Sequence, residues 1–468
     1  MKRITKNFAS LFISDAVSRI LGFFAIVYIA RMLSAEGLGI ISYGMAFLTY
    51  ALLFANPGLT TIGAREIAKN HNNRRIIEEI LGLRLTLASL IFLLFIIGLI
   101  VIPGKPITKN IIFFYLLSLF PFAILLEFIF QGREEMGYIG ISRLVQYSIY
   151  VILLFVLLKI SHNILMVPIS FFIGYCAGTG ILIFIFLSKY KSVKIKFSLR
   201  SWHNLLIVSF PVGLAVIFNQ VSLNLPPIIL GVFHSKVEVG VFSAGFKIII
   251  MLLIIERVFH YVFFPVISKQ FTHAPEKLRS SFTFLTRLLF AITIPLTLGG
   301  IILADGLISF IYGAEFEGAI MIFRILLLYF LVAPVNTIFG YGLVSINQER
   351  RFFKVITYTA LINLILIIIL GINFKGQGAA VALFVSETIA IVLMNRELKK
   401  FVKFKSLKYI IKPFIASLIM GIVLYALKHL SIIILVILGI IIYSVVFYLI
   451  KGFSKEEIRN LKQTFVQK

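Results

Sequence analysis

Apolar residues fall into about fourteen long runs along this chain, near 8–30, 38–60, 80–102, 111–131, 144–160, 165–187, 205–231, 240–263, 284–304, 319–345, 352–371, 378–396, 409–427 and 431–450. Each approaches the ~20 residues that a helix needs to cross a bilayer core. Short polar connections separate them. The pattern predicts an all-α polytopic membrane protein of about 14 transmembrane helices. The first run is too long for a cleavable signal peptide, carries Asp15 and Arg19, and has no clear small-residue cleavage site.

Charge adds an orientation. The chain has 45 Lys and Arg against 19 Asp and Glu, a net +26, with a pI near 10.1. In a soluble protein that balance would point to nucleic acid. With 60% hydrophobic residues and a mean hydropathy of +1.04, no nucleic-acid partner is expected here. Placing the N-terminus inside puts roughly 32 Lys and Arg in inner segments and roughly 7 in outer ones, as the positive-inside rule requires. The richest inner segments are 189–200, 396–412 and the tail 451–468. Both termini are then cytoplasmic, in a multi-pass protein of the cell membrane. The longest outer connection, 305–318, has no room for a catalytic domain. Inner connections near 61–79, 188–204 and 265–283 are long enough for short amphipathic helices. Cys176 is the sole cysteine, so no intramolecular disulfide forms, and no Cys/His cluster has metal-ligand spacing.

Sliding the chain by about two hundred residues uncovers a weak internal repeat, a feature worth seeking before any fold is assigned. Residues 33–47 (LSAEGLGIISYGMAF) lie over 234–248 (HSKVEVGVFSAGFKI), matching Ser34/Ser235, Gly39/Gly240, Ser42/Ser243 and Gly44/Gly245. A fainter match sets Gln131-Gly132-Arg133 beside Gln348-Glu349-Arg350. Six helices per unit make the repeats parallel, with a central cleft as the place for a solute. The expected domains are an N-terminal lobe of helices 1–6 (1–188), a basic cytoplasmic linker (189–204), a C-terminal lobe of helices 7–12 (205–396), and helices 13–14 with the tail (397–468).

A charge at mid-bilayer costs at least ~2.5–3.5 kcal/mol on insertion scales, so such residues face a cavity or one another. Arg19 lies near the midplane, and Asp15 precedes it by one helical turn, within pairing range. Either the pair locks the first helix, or Arg19 meets an anionic head group that Asp15 holds or releases. Glu387, nine residues into the twelfth run, fits a hydrogen-bonded structural role or the exchange of a proton or sodium ion. Lys247, ~10 Å below the outer surface, either snorkels outward or lines the cleft. Arg84, Arg287 and Arg324 sit near helix ends, where long side chains reach the interface. Glu127, near the inner end of the fourth run, reads as snorkelling or salt-bridged.

Uncharged polar residues mark the same interior. The seventh run holds Asn219, Gln220, Ser222 and Asn224, then Pro226-Pro227, which should bend or break the helix. The tenth carries Pro334, Asn336 and Thr337, and the eleventh Asn363. One such helix would be ordinary interhelical glue; three in one lobe favour a wet pathway. The substrate-lining set is therefore Arg19, Lys247, Asn219, Gln220, Asn336 and Asn363, with Asp15 and Glu387 for ion coupling. There is no phosphate-cradling loop, no HExxH and no nucleophile–base set. The chain reads as a transporter without catalytic residues, metal or cofactor, coupled to H+ or Na+.

Four stretches carry a family likeness: ARMLSAEGLGIISYGMAF (30–47), NPGLTTIGAREIAKN (56–70, with Arg65 and Glu66), FIYGAEFEGAIMIFRILLL (310–328) and GQGAAVALFVSETI (376–389). In this order and spacing, over residues 8–396, the chain resembles the polysaccharide-exporter branch of the multidrug/oligosaccharidyl-lipid/polysaccharide exporter superfamily. The resemblance implies a MATE-like fold of two six-helix lobes, alternating access, and a cationic cavity for an undecaprenyl- or dolichyl-linked glycan. The implied activity is flipping of a polyprenyl-(pyro)phosphate-linked oligosaccharide to the outer leaflet, with glycosyltransferases or a polymerase of the same pathway as candidate partners. It gives Arg19 and Lys247 a role, because an unpaired phosphate in hydrocarbon carries a desolvation cost of order 20 kcal/mol.

Three rivals stand beside this reading. A cation-coupled multidrug antiporter would present carboxylates and aromatics to its substrate, without basic side chains among them. A peptidoglycan lipid-precursor flippase differs mainly in substrate, and its family shows more basic residues in the first-lobe cavity. A membrane glycan polymerase would need a sizeable outer loop.

Overall fold

The computed structural model describes residues 2–71, 73–190, 195–273, 276, 278–402 and 410–453, and among them there is no strand. Among the described residues, ten helices are long and apolar enough to cross a membrane. The first, α1 (Lys2–Ala55), has 54 residues, or ~80 Å at 1.5 Å per residue, far beyond a ~30 Å core. Ser34, at φ 61 and ψ −175, breaks it into the first two expected spans. Another long element, Glu349–Leu398, is broken in the same way at Phe374 and Lys375.

After α1 come the short α2 (Leu59–Lys69), α3 (Arg74–Val101), α4 (Pro106–Leu116), α5 (Leu119–Ala123), α6 (Glu127–Gly132), α7 (Met136–Ser161) and α8 (Met166–Lys189). The run 111–131 is therefore three pieces, where one continuous helix was expected. The amphipathic α2 buries Leu59, Ile62, Ala64 and Ile67 while exposing Arg65 and Lys69. Next are α9 (Leu199–Phe233), α10 (Lys236–Leu252), α11 (Ile254–His273), α12 (Leu278–Tyr312), α13 (Ala319–Ser345), α14 (Glu349–Leu398), α15 (Ile411–Ala426) and α16 (Ile432–Leu449). Pro226 and Pro227 do not break α9, which runs through both. The run 240–263 does break, between α10 and α11.

The chain forms two compact units, residues 1–243 and 244–468. Lipid is as apolar as a leucine side chain, so helices in a membrane hold together by close packing and polar contacts. In the first unit, Gly174 of α8 approaches α7 so closely that a Cβ there would lie 2.6 Å from the Gln146 carbonyl oxygen. One turn on, Ser142 Oγ donates to the Gly178 carbonyl at 2.7 Å. In the second unit, Phe282, Leu289, Phe339, Leu343, Met394 and Leu398 form the core. The α15–α16 pair docks on α12, where Tyr443 donates to the Ala291 carbonyl at 2.7 Å.

The repeat is visible in the backbone, with one change of register. The α6–α7 turn has Glu134 at φ 57, with Glu135 N–H bonded to Phe130 O and Glu134 N–H to Gln131 O. The α13–α14 turn has Asn347 at φ 59, with Gln348 N–H bonded to Leu343 O and Asn347 N–H to Val344 O. Both are the same left-handed helix stop. Gln131 thus corresponds to Val344, and the expected match with Gln348 is four residues out of step. The first match holds in another sense: a Cβ on Gly39 would lie 1.7 Å from Lys236 O, and one on Gly240 would lie 1.9 Å from Ala35 O. The two glycine turns pack backbone to backbone within the first unit.

Candidate functional site

The first unit joins its intramembrane charges in one chain of contacts. Arg19 Nε donates to Asp15 Oδ2 at 3.0 Å, the one-turn pairing expected on α1. Asp15 Oδ1 also lies 3.6 Å from Arg143 Nη1 on α7. Arg143 grips both oxygens of Glu127, at the start of α6, at 3.0 and 3.1 Å. Two guanidiniums and two carboxylates from three helices neutralise one another. Their side chains remain 20% to 33% exposed, so packing does not seal them. Tyr147 lies one turn beyond Arg143 on the same helix.

Sequence reasoning missed Arg143 because the apolar run was read from residue 144, which left the arginine in a loop. The helix starts at Met136, so Arg143 lies two turns inside it. Arg84 and Arg287 were expected near helix ends, but they lie well inside α3 (Arg74–Val101) and α12 (Leu278–Tyr312), and they and Arg324 contact protein groups. Arg84 is 2% exposed and donates to the carbonyls of Leu125 (3.0 Å) and Phe122 (2.5 Å). These carbonyls lie at the break between α5 and α6, where Phe122 O also accepts from Leu125 N–H at 3.1 Å, so Arg84 braces broken backbone. Arg287 donates to the Gly452 carbonyl and stands 5.3 Å from the Phe453 ring, anchoring the end of α16. Arg324 binds both oxygens of Asp305 at 3.0 Å, and Lys428 joins the same carboxylate at 3.3 Å.

The second unit is arranged differently. Asn336 Nδ2, on α13, donates to Glu387 Oε1 at 2.6 Å. Asn363 Nδ2 donates to Ser386 Oγ, both on α14. Asn336 and Asn363 thus have separate partners, and both amide oxygens are buried without one among the described residues. A buried acceptor left unpaired costs ~1–3 kcal/mol, and water or an ion commonly completes such groups. Glu387 has no cationic partner among the described residues, and half-buried Lys247 on α10 makes neither hydrogen bond nor ion pair there. On α9, Gln220 accepts twice from Asn224 Nδ2, at 3.0 and 3.1 Å. The Asn219 side chain lies outside the described residues.

The stretch 56–70 builds α2. Gly58, at φ 76, starts the helix, and Lys69, then Arg65, hold Glu66 below the usual carboxylate range. Among the described residues, no group of three or more His, Cys, Asp or Glu could hold a metal ion.

The model of the polysaccharide biosynthesis protein family matches residues 4–271, more than half of the chain. The chain belongs to this family. A capsular polysaccharide biosynthesis protein of Staphylococcus aureus, CapF, is 22% identical over 404 residues, covering 83% of this chain and 98% of that protein. A putative O-antigen transporter of Escherichia coli (strain K12) is 24% identical over 405 residues, covering 84% and 95%. The lipid II flippase MurJ, in an inward closed conformation, superimposes with a TM-score of 0.76 at 18% identity, over 94% of this chain and 98% of that one. The resemblance read from the four stretches is borne out, as is the all-α, MATE-like membrane fold. The protein is a multi-pass membrane protein of flippase type in polysaccharide biosynthesis.

Proposed function

We propose that this protein carries a polyprenyl-(pyro)phosphate-linked oligosaccharide from the cytoplasmic to the outer leaflet of the cell membrane by alternating access. The observation that carries the reading is Arg19, held by Asp15 in the middle of an apolar helix and still 29% exposed, in a member of the polysaccharide biosynthesis protein family. A guanidinium kept at that depth suits a phosphorylated head group, and the lipid tail stays in the bilayer. Lys247, Gln220, Asn219, Asn336 and Asn363 would line the path of the glycan. Glu387, bonded to Asn336, would exchange H+ or Na+, with Asp15 as the second coupling carboxylate. Both termini would be cytoplasmic, and glycosyltransferases or a polymerase of the pathway would supply and consume the cargo. No step calls for a catalytic residue.

Deletion of the gene should cause one lipid-linked oligosaccharide to accumulate, identified by mass spectrometry of extracted lipids. Arg19→Ala should insert normally and abolish export. Normal surface glycan at native expression of that variant would remove Arg19 from the role. The likeness to MurJ favours a second reading, a peptidoglycan lipid-precursor flippase. The same extract separates the two, since the accumulating species would then be the peptidoglycan precursor.

A further inference from the structure

We infer that Arg324 and Lys428, in the second unit, form a site for the phosphate head of an anionic phospholipid that stays on the protein at the outer ends of α12, α13 and α15. The lipid is a resident and not the cargo, and the site rests on the orientation that the distribution of Lys and Arg gives the chain. Arg324 donates through Nε to the Ile301 carbonyl at 3.3 Å and through Nη2 to both oxygens of Asp305 at 3.0 Å. Its Nη1 makes no hydrogen bond among the described residues. Lys428 Nζ lies 3.3 Å from Asp305 Oδ2, and an ammonium has two further N–H groups to give. Two cations thus share one carboxylate. An excess positive charge is left where the three side chains are 35% to 48% exposed.

Position and surroundings select a lipid. Outer connections hold only roughly 7 Lys and Arg, so cations that converge there run against the positive-inside trend. The helix α15 has 16 residues, ~24 Å at 1.5 Å per residue, which is short of a ~30 Å core. Lys428, two residues past its end, stands at the edge of that core, and its long stem reaches the head groups. Below it Tyr425, Ile422, Leu418 and Ile415 follow at spacings of three and four on the exposed side of α15, a stripe for acyl chains. The Tyr425 ring lies 6.0 Å from Lys428 Nζ, and tyrosine is enriched at this level of a membrane. A phosphate held by both cations bridges α13 to the turn between α15 and α16. That turn already rests on α12, where a Cβ on Gly306 would lie 3.0 Å from Ile432 Cδ1. The lipid therefore fastens the last helix pair to the rest of the unit. An ion clamp without lipid would show the same distances, but its contribution to stability would not depend on lipid.

The test uses the full chain, delipidated in detergent, with binding read by native mass spectrometry. The probes are phosphatidylglycerol, dioleoylglycerol (which lacks the phosphate), inorganic phosphate and geranylgeranyl diphosphate. Phosphatidylglycerol should bind and dioleoylglycerol should not. Lys428→Gln should weaken phosphatidylglycerol about fivefold, the equivalent of ~1 kcal/mol, and Lys428→Arg should restore it. Arg324→Gln should weaken it as well, which covers the case of a Lys428→Gln chain that does not fold. Added phosphatidylglycerol should raise the unfolding temperature of the native chain more than that of either folded Gln variant. Unchanged binding in a folded Gln variant, or a stability loss that is the same with and without lipid, overturns the site. Inorganic phosphate that binds as tightly as phosphatidylglycerol overturns its lipid character. Geranylgeranyl diphosphate that displaces phosphatidylglycerol from Lys428 at equal concentration would assign the place to a polyprenyl lipid and overturn the resident. Export is not measured, so this site and the flippase reading fail separately.

Discussion

In the first unit the mid-membrane charges on α1, α6 and α7 stand in pairs of opposite sign, whereas the second unit leaves Glu387 with the amide of Asn336 and Lys247 with no partner among the described residues. The backbone does not explain the contrast, since the turns at Glu134 and Asn347 repeat and left-handed residues recur at His162 and Lys375. In that register Glu127 and Arg143 correspond to Gly340 and Ile356, while Asn336, Asn363 and Glu387 correspond to Ala123, Tyr150 and Gly174. The turns recur, and the polar side chains do not recur with them. One half holds charges on three helices in pairs of opposite sign. The other holds the buried amide oxygens of Asn336 and Asn363, with no partner among the described residues.

The largest expected effect follows from that difference. Arg143→Ala would take from Glu127 its two-pronged partner and from Asp15 one of its cations. Breaking a buried pair costs ~3–5 kcal/mol, and partial exposure puts this case near ~3 kcal/mol. Thermal unfolding in detergent should show the loss, against a change below ~1 kcal/mol for Glu387→Gln. Equal losses would mean that the two halves are built alike after all.

The helices were legible in the chain because ~20 apolar residues in a row have few other uses. So were the Arg19–Asp15 pair, one turn apart, and the location of both repeats. Three things were not. Breaks at Leu117–Ser118, at 124–126 and at Leu253 fall within apolar sequence without a proline at the break itself. They depend on what neighbouring helices offer the freed carbonyls, as Arg84 does for Phe122 and Leu125. Arg143 was lost because a helix outlasts its apolar stretch by two turns. The repeat register slipped by four because Gln and Arg recur near both turns, and only the hydrogen bonds show which residue turns left-handed.

Arg84 and Arg287 test whether the contrast is confined to mid-membrane charges. Each is buried, one in each unit, and each donates to backbone carbonyls. Replacing either by Met should destabilise the chain by ~2 kcal/mol, because carbonyls lose a charged donor in a dry place. Similar losses at the two positions would show that both halves use a buried arginine in the same way, to brace backbone carbonyls. A loss at only one would extend the contrast to these backbone-bracing arginines.

Glu387→Gln comes next in size for stability and carries more weight for transport. Without a cationic partner among the described residues, the carboxylate has no ion pair to lose, and Gln can still accept from Asn336. Unfolding should therefore shift by less than ~1 kcal/mol. If this is the coupling group, export by the variant should respond less to an imposed proton or sodium gradient. An unchanged response would leave Glu387 as a structural partner of Asn336 and remove the functional half of the contrast.

Asp305→Asn should do least, and the reason bears on the whole comparison. Asp305 has two cationic partners, Arg324 and Lys428, which by count makes it better paired than Glu127. Its side chain is 40% exposed near the end of α12, where water screens the charges and the cations can find other company. Exposed pairs are worth ~0.2–1 kcal/mol, so the expected loss is ~0.5 kcal/mol, and added salt should shrink it further. A loss approaching that of Arg143→Ala would mean that the number of partners sets the cost. A small, salt-sensitive loss would mean that solvent exposure sets it, since the Asp305 side chain is 40% exposed and that of Glu127 22%.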